Sequence, residues 1–309
     1  MDAVTTATPI QMGASRWRAL LAFATVYLVW GTTYFVVGEV VHAWPPLLMT
    51  AARFLVAGAL LYVFRRASDA PRPMVRNWLA ATWVAALLLL GGYGITAWAQ
   101  QRVPSGLTAL IVSITPLNMV LVEWLRPGGT RPSPAVLPGL GLGLAGMILL
   151  IGPARLEAAR EADLPAALAC VGASVCWATG SVLGRQARQV PDTLLAAGMQ
   201  MLAGTILLFI AAVLSGKLDA VARAPVTLPL LGGWIYLTLA GSLGAFSAYI
   251  YLLKVSTPAR VSTYAYVNPV VAVLVGWTLG GEVVTTRIVM AAALLLGGVA
   301  LITARKAHT

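Results

Sequence analysis

The chain has 309 residues, of which 59% are hydrophobic and only 10% charged, against about 25% charged in a typical soluble domain. Its net charge of +11 would suit a nucleic-acid surface. The basic residues do not form a patch, however; they fall between apolar runs, the pattern of a chain threaded through a bilayer. Cys170 and Cys176 lie in one apolar run and exclude a disulfide framework, so an all-α integral membrane protein is expected.

A membrane span needs about 20 mainly apolar residues, and ten runs qualify in chain order: 19–37, 47–64, 78–100, 105–124, 135–151, 164–184, 193–214, 228–253, 261–280 and 288–304. The first follows a polar tail, residues 1–18, that carries Arg16 and Arg18. This run exceeds the roughly 7–15 residues of a signal-peptide core and is read as a retained span. The connections are short and leave no room for a separate soluble domain. Residues 153–163 form a central linker, and 305–309 a second tail. With the N-terminus in the cytoplasm, 14 of the 21 Lys and Arg fall in cytoplasmic segments, 6 on the opposite side, and Arg53 inside the second span. That bias predicts both termini in the cytoplasm and an inner-membrane location.

The fourth span contains Ser113-Ile-Thr-Pro116-Leu-Asn118, with Trp124 eight residues after its proline. The ninth contains Tyr266-Val-Asn268-Pro269, with Trp277 at the same distance. The two prolines are 153 positions apart. A proline inside a helix removes one hydrogen bond and kinks it, here freeing the carbonyls of Val112 and Ala265. In lipid such carbonyls need a neighbouring helix or a wet cavity to serve them. Other pieces also recur: Trp30-Gly-Thr32 with Trp177-Ala-Thr179, and Leu47, Leu48 and Arg53 with Leu194, Leu195 and Gln200. These pairs predict two five-span repeats, 19–152 and 164–304. Five is odd, so the second repeat would be inverted relative to the first, the build of carriers whose site lies at the midplane.

These residues, together with Arg53-Phe-Leu-Val-Ala57 in the second span and Leu279-Gly-Gly-Glu282 after the ninth, resemble the EamA branch of the drug/metabolite transporter superfamily. The resemblance covers nearly the whole chain. It implies a ten-helix carrier of amino acids and other metabolites, often working outward, with a central cavity lined by spans one, three, four, six, eight and nine. One departure stands out: Gly129 occupies the place in the first half that corresponds to Glu282, where many relatives have an acid.

Arg53 is the one clearly intramembrane cation. It lies six residues inside its span, ~9 Å deep at 1.5 Å per residue, and either snorkels outward or faces the cavity as a carboxylate receptor. Glu123 either pairs with Arg126, one helical turn on, or serves proton coupling. Trp30, Tyr93, Trp98, Trp177, Tyr249 and Tyr264 are candidate substrate-binding rings; Tyr251 and Tyr266 lie in the same region. Asn118 and Asn268 are the candidate polar contacts, each as readily explained by helix-to-helix bonding. Gly141-Leu-Gly143-Leu-Ala-Gly146 has the GxGxxG spacing but no preceding strand, so it reads as small-residue helix packing at Gly139 and Gly143.

No catalytic residue, metal site or cofactor is expected, and no nucleic-acid partner. The partners are a small-molecule substrate and the bilayer, and nothing requires more than a monomer. The expected function is alternating-access export of small metabolites, with apolar or aromatic amino acids as first candidates. The alternatives are export of drugs or nucleosides on the same fold, a channel, and a membrane-embedded enzyme. A channel would need a ring of like charges or carbonyls. An enzyme would need acid–base pairs that His42 and His308, both outside the spans, do not supply.

Overall fold

The structure is a computed structural model that describes residues 12–103, 105–158, 163–216, 224–280 and 285–304. Glu282 and the 305–309 tail lie outside the described residues, as do residues 1–11 and 159–162. Everything described is helix, turn or extended connection. The helices are α1 (Met12–Ala43), α2 (Pro46–Ala67), α3 (Val75–Ala99), α4 (Ser105–Val112), α5 (Thr115–Leu125), α6 (Val136–Ala158), α7 (Leu164–Gly184), α8 (Thr193–Leu214), α9 (Leu228–Val255), α10 (Pro258–Val261), α11 (Tyr264–Gly280) and α12 (Thr286–Thr303).

Among the described residues, seven helical runs are long and apolar enough to cross a membrane: α2, α3, residues 107–125, α7, α8, α9 and α12. An eighth is the first helix, if its two arms count as one span; it bends by 43° between Thr33 and Phe35. Val136–Gly152 of α6 is a shorter apolar helix, closed by Gly152 at φ 74°. Helix α11 has 17 residues.

Contacts between connections define two ends of the bundle. At one, Trp44 Nε1 donates to the Pro225 carbonyl at 2.7 Å, and Arg102 pairs with Asp163 at 3.5 Å. At the other, Arg65 pairs with Asp192 at 2.5 Å, Asn77 Nδ2 donates to the Arg188 carbonyl at 2.7 Å, and Arg260 donates to the Thr303 carbonyl at 3.2 Å. We refer to these as the Trp44 end and the Arg65 end.

The longest helix contacts run between α2 and α8 and between α6 and α12. Without water, helix association rests on close packing, which small residues permit. In the second pair, a Cβ at Gly139 would come within 2.9 Å of the Gly298 carbonyl oxygen, and one at Gly298 within 2.6 Å of the Gly139 carbonyl oxygen. Both distances are below what real side chains tolerate, so the GxGxxG stretch and its flank serve helix contact.

Four segments depart from the sequence expectation. The third and eighth runs are not uniform α-helix: Ala86–Gly94 of α3 and Leu237–Phe246 of α9 are wound as π-helix. The fourth run breaks at Ser113–Ile114, so Pro116 sits in the first turn of a new helix instead of kinking a continuous one. The ninth run breaks earlier, at Ser262–Thr263, and leaves Pro269 inside α11. The prolines correspond in sequence, but the breaks do not.

Replacing Gly298 by Val should force α6 and α12 apart. We expect a loss of about 1–3 kcal/mol, the usual cost of overpacking, read as a lower midpoint in a thermal-unfolding assay of the detergent-solubilised protein. An unchanged midpoint would contradict the close contact.

Candidate functional site

Two of the irregular segments, the π-wound part of α3 and the α4–α5 break, line one cavity. Its walls come from α1 (Trp30, Thr33, Val37), α2 (Met49, Thr50, Arg53), α3 (Gly92, Tyr93, Thr96, Ala97, Gln100), the α4–α5 break (Val112, Thr115), α7 (Ala173, Ser174, Trp177) and α11 (Asn268). It lies towards the Trp44 end, since Val37, Met49 and Gln100 are the lining residues closest to the connections there.

Its floor is a pile of rings. Trp30 packs against Trp177 at 5.7 Å between centroids, Tyr93 at 6.3 Å, and Tyr249 and Tyr264 at 5.0 Å each. Most of these are edge-to-face or tilted contacts, the arrangement aromatic quadrupoles favour. Trp177 reaches the cavity because the π-wound part of α3 yields to it: a Cβ at Gly92 would sit 2.6 Å from its ring. Tyr249 is fixed beneath by a 2.5 Å hydrogen bond with Ser181. Tyr249 and Tyr264 thus back the floor, while Trp30, Tyr93 and Trp177 face the space.

One wall is Arg53, only 2% exposed. Its Nε donates to Ser242 Oγ at 2.7 Å, and that hydroxyl is itself within 3.2 Å of the Leu237 carbonyl, inside the π-helical part of α9. The guanidinium carbon lies 4.9 Å from the Phe54 ring centroid and 5.1 Å from that of Tyr93. Among the described residues no carboxylate pairs with it. Of the two readings of Arg53, the structure excludes snorkelling: the side chain turns into the bundle and lines the cavity. A cation on a helix centre costs about 2.5–3.5 kcal/mol on insertion scales. Ring faces return about 0.5–2 kcal/mol, which leaves a buried charge suited to an anion.

A hydroxyl relay forms the opposite wall. Thr115 Oγ1 donates to the Val112 carbonyl at 2.6 Å, Ser174 Oγ meets Thr115 Oγ1 at 2.9 Å, and Asn118 Nδ2 donates to Ser174 Oγ at 2.9 Å. The carbonyl that Pro116 frees on Val112 is served within this relay. Asn118 acts through Ser174 and does not itself line the cavity. Asn268 does. In the orientation that makes hydrogen bonds, its Nδ2 donates to the carbonyls of Tyr27 at 3.2 Å and Tyr264 at 3.0 Å.

Two sequence candidates lie elsewhere. Trp98 packs outside the cavity, under the Arg102 guanidinium at 4.6 Å. Glu123 is held by Arg126 through bonds of 2.6 and 3.0 Å and is 3.4 Å from Thr130 Oγ1, away from the cavity. Gln100 was missed, having been read only as the end of a span. It is 4% exposed, and both its amide atoms lack a protein partner. Trp177 Nε1 also has none. Groups of this kind are costly to bury unless something bonds them. The cavity holds about 90 Å³, room for a small polar group. A drug-sized ligand needs roughly 300–1,000 Å³, so the floor must part to admit a large side chain.

Comparison with known proteins fits this geometry. The EamA-like transporter family matches residues 17–152 and 164–304. The chain belongs to this family. It is 39% identical over 300 residues to the "Uncharacterized inner membrane transporter YedA" of Escherichia coli strain K12, covering 94% of each chain. It is 29% identical to "Protein PecM" of Dickeya dadantii, covering 90% of this chain and 92% of that one. It is 27% identical to the "Aromatic amino acid exporter YddG" of Ancylobacter novellus, covering 94% and 98%. A solved crystal structure superposes with a TM-score of 0.72 at 26% identity, over 92% of this chain and 97% of that one. The protein is a multi-pass inner-membrane transporter of the EamA-like family.

Arg53→Met should lower transport at least tenfold at unchanged protein abundance, because a bond to a charged group is worth about 1.5–3 kcal/mol. Arg53→Lys should retain part of the activity. Trp177→Ala and Tyr93→Ala should also abolish transport by opening the floor. Normal transport by all of these variants would remove the cavity from the path.

Proposed function

We propose that this transporter exports amino acids, preferably with apolar or aromatic side chains, by alternating access around the cavity. Arg53 receives the carboxylate, and Trp30, Tyr93 and Trp177 receive the side chain. The observation that carries this reading is the buried guanidinium, with no carboxylate partner among the described residues, standing beside an aromatic floor. The relative named as an aromatic amino acid exporter supports the substrate class.

On this reading the bundle has ten spans in two inverted repeats, 19–152 and 164–304, with 153–163 between them. The α4–α5 pair makes one span and α10–α11 another. Three observations support this. The family matches twice, over nearly those residues. Helix α2 packs along α8 and α6 along α12, each pairing a helix of one half with its counterpart in the other. The π-wound segments fall at corresponding places in α3 and α9. The bias of Lys and Arg supports placing the Arg65 end in the cytoplasm, and on that reading the cavity faces outward.

Coupling by Glu123 fits poorly with its place on Arg126. Proton relays use intramembrane Asp, Glu or His, which favours exchange or facilitated movement. Gln100, with both donor and acceptor unused, supports a second reading in which an uncharged solute with an amide-like edge, such as a nucleoside, occupies the cavity.

The test is counterflow into proteoliposomes with a panel of labelled amino acids and nucleosides, with and without a pH gradient. Saturable exchange of apolar or aromatic amino acids, insensitive to the gradient and lost in Arg53→Met, is the expected result. Exchange confined to nucleosides would replace this reading with the second. An uncoupled, non-saturating flux would make the protein a channel.

A further inference from the structure

A second cavity, of about 420 Å³, opens at the Arg65 end, between α3, α7, α8, α9 and the α7–α8 connection. On the repeat correspondence proposed above it is the counterpart of the first. Thr33, Val37 and Arg53 line the first cavity; the residues 147 positions on, Gly180, Gly184 and Gln200, line the second. Ala97 and Gln100 line the first; the residues 153 positions on, Ile250 and Leu253, line the second. The offset of 153 is the one that separates Pro116 from Pro269.

The polar groups of this cavity are ordered by a short amide relay. The Gly184 carbonyl can only accept, so Gln189 must present Nε2 to it, at 2.8 Å. That turns Gln189 Oε1 towards Gln200, whose Nε2 donates to it at 2.6 Å. The relay ends on Gln200 Oε1, which has no protein partner although Gln200 is fully buried. By elimination the free position is an acceptor, and what satisfies it must be an N–H or O–H donor.

Arg185 and Lys254, both exposed, complete the lining, and no carboxylate lines the cavity. The acids nearest these cations are already engaged: Glu123 near Arg185 is held by Arg126, and Asp192 near Lys254 by Arg65. The mouth is therefore net positive, with a buried acceptor inside it. A zwitterion matches that order of groups, its carboxylate against Arg185 and Lys254 and its ammonium on Gln200 Oε1.

We propose that this cavity is a second amino-acid site, met by the substrate at the Arg65 end of its path, with Gln200 as ammonium acceptor. The assignment rests on the amino-acid reading above and adds a site that the first cavity does not supply.

The test measures phenylalanine exchange by full-length protein in inside-out and right-side-out vesicles. Gln200→Leu is expected to raise the half-saturation concentration about tenfold from the face at the Arg65 end and to leave the other face within about twofold. Lys254→Met, at the exposed mouth where Nζ also donates to the Pro191 carbonyl at 3.1 Å, should raise it about threefold on the same face. Inhibition by 3-phenylpropionate, which lacks the ammonium, should be the same in wild type and Gln200→Leu. No change in either variant, or equal changes on both faces, would overturn the site while exchange itself leaves the transport reading standing. No saturable phenylalanine exchange by wild type would overturn the site, and the counterflow panel would then decide the transport reading separately.

Discussion

A helix that breaks inside an apolar bundle exposes backbone groups that lipid cannot solvate, and the rest of this structure follows from how those groups are served. At the Ser113–Ile114 break, Thr115 donates to the Val112 carbonyl. At the Ser262–Thr263 break, both hydroxyls turn back onto carbonyls three residues earlier, Ala259 at 2.9 Å and Arg260 at 2.6 Å. In the π-wound part of α9, Ser242 reaches the Leu237 carbonyl. Each solution places a hydroxyl at a point where helices are already irregular. Two of the four also help shape the first cavity: Thr115 lines it, and Ser242 holds the Arg53 that lines it. The polar character of the site is thus partly a by-product of keeping broken helices satisfied, and π-winding recurs at functional sites elsewhere for similar reasons.

The cavity's sign is set by one residue. Thr33, Thr50, Thr96, Thr115 and Ser174 are neutral, and Thr33 and Thr115 spend their protons on the carbonyls of Trp30 and Val112. Arg53 can only donate, and it is held by Ser242 on one edge and by ring faces around it. Its neighbours fix its direction without neutralising it. A carboxylate among them would have made an internal ion pair, and a buried pair of that kind gains little from a further anion.

Much of this was legible in the sequence because bilayer dimensions constrain apolar runs so strongly. The helical class, the ring candidates Trp30, Tyr93 and Trp177, the served carbonyl on Val112 and the close packing at Gly139 could all be read from residue type and spacing. What could not be read depends on which way a side chain faces. In a span surrounded by lipid on one side and protein on the other, both faces are apolar and the usual 3.6-residue signal fades. Trp98 and Gln100, two residues apart, illustrate this: one packs beside Arg102 and the other lines the cavity, and nothing in their local composition separates them. The π segments were hidden for the same reason. Winding that changes the face presented leaves no trace where all faces are alike, and only the glycines at 91, 92 and 94 mark the place in α3. Pro269 misled on position: its run breaks at Ser262–Thr263, where hydroxyls serve the carbonyls, whereas Pro116 stands beside its own break.

The difference between Arg53 and Gln200 bears on how the proposed cycle works. If the halves exchange conformations, a perfectly symmetric carrier would present the same site to each side. On the proposed repeat correspondence Arg53 answers to Gln200, and the cations of the second cavity stand at its mouth instead of deep inside. A carboxylate is then drawn to a buried charge on one side and to a solvated, screened one on the other. The two access states should hold the substrate with unequal affinity, which fixes the concentration at which each face saturates. It cannot fix the net direction, because a carrier without an external driving force only relaxes the gradient it is given. On the proposed reading, outward movement follows from the metabolite being more abundant inside, and the asymmetry of the site tunes the response to that abundance on each face.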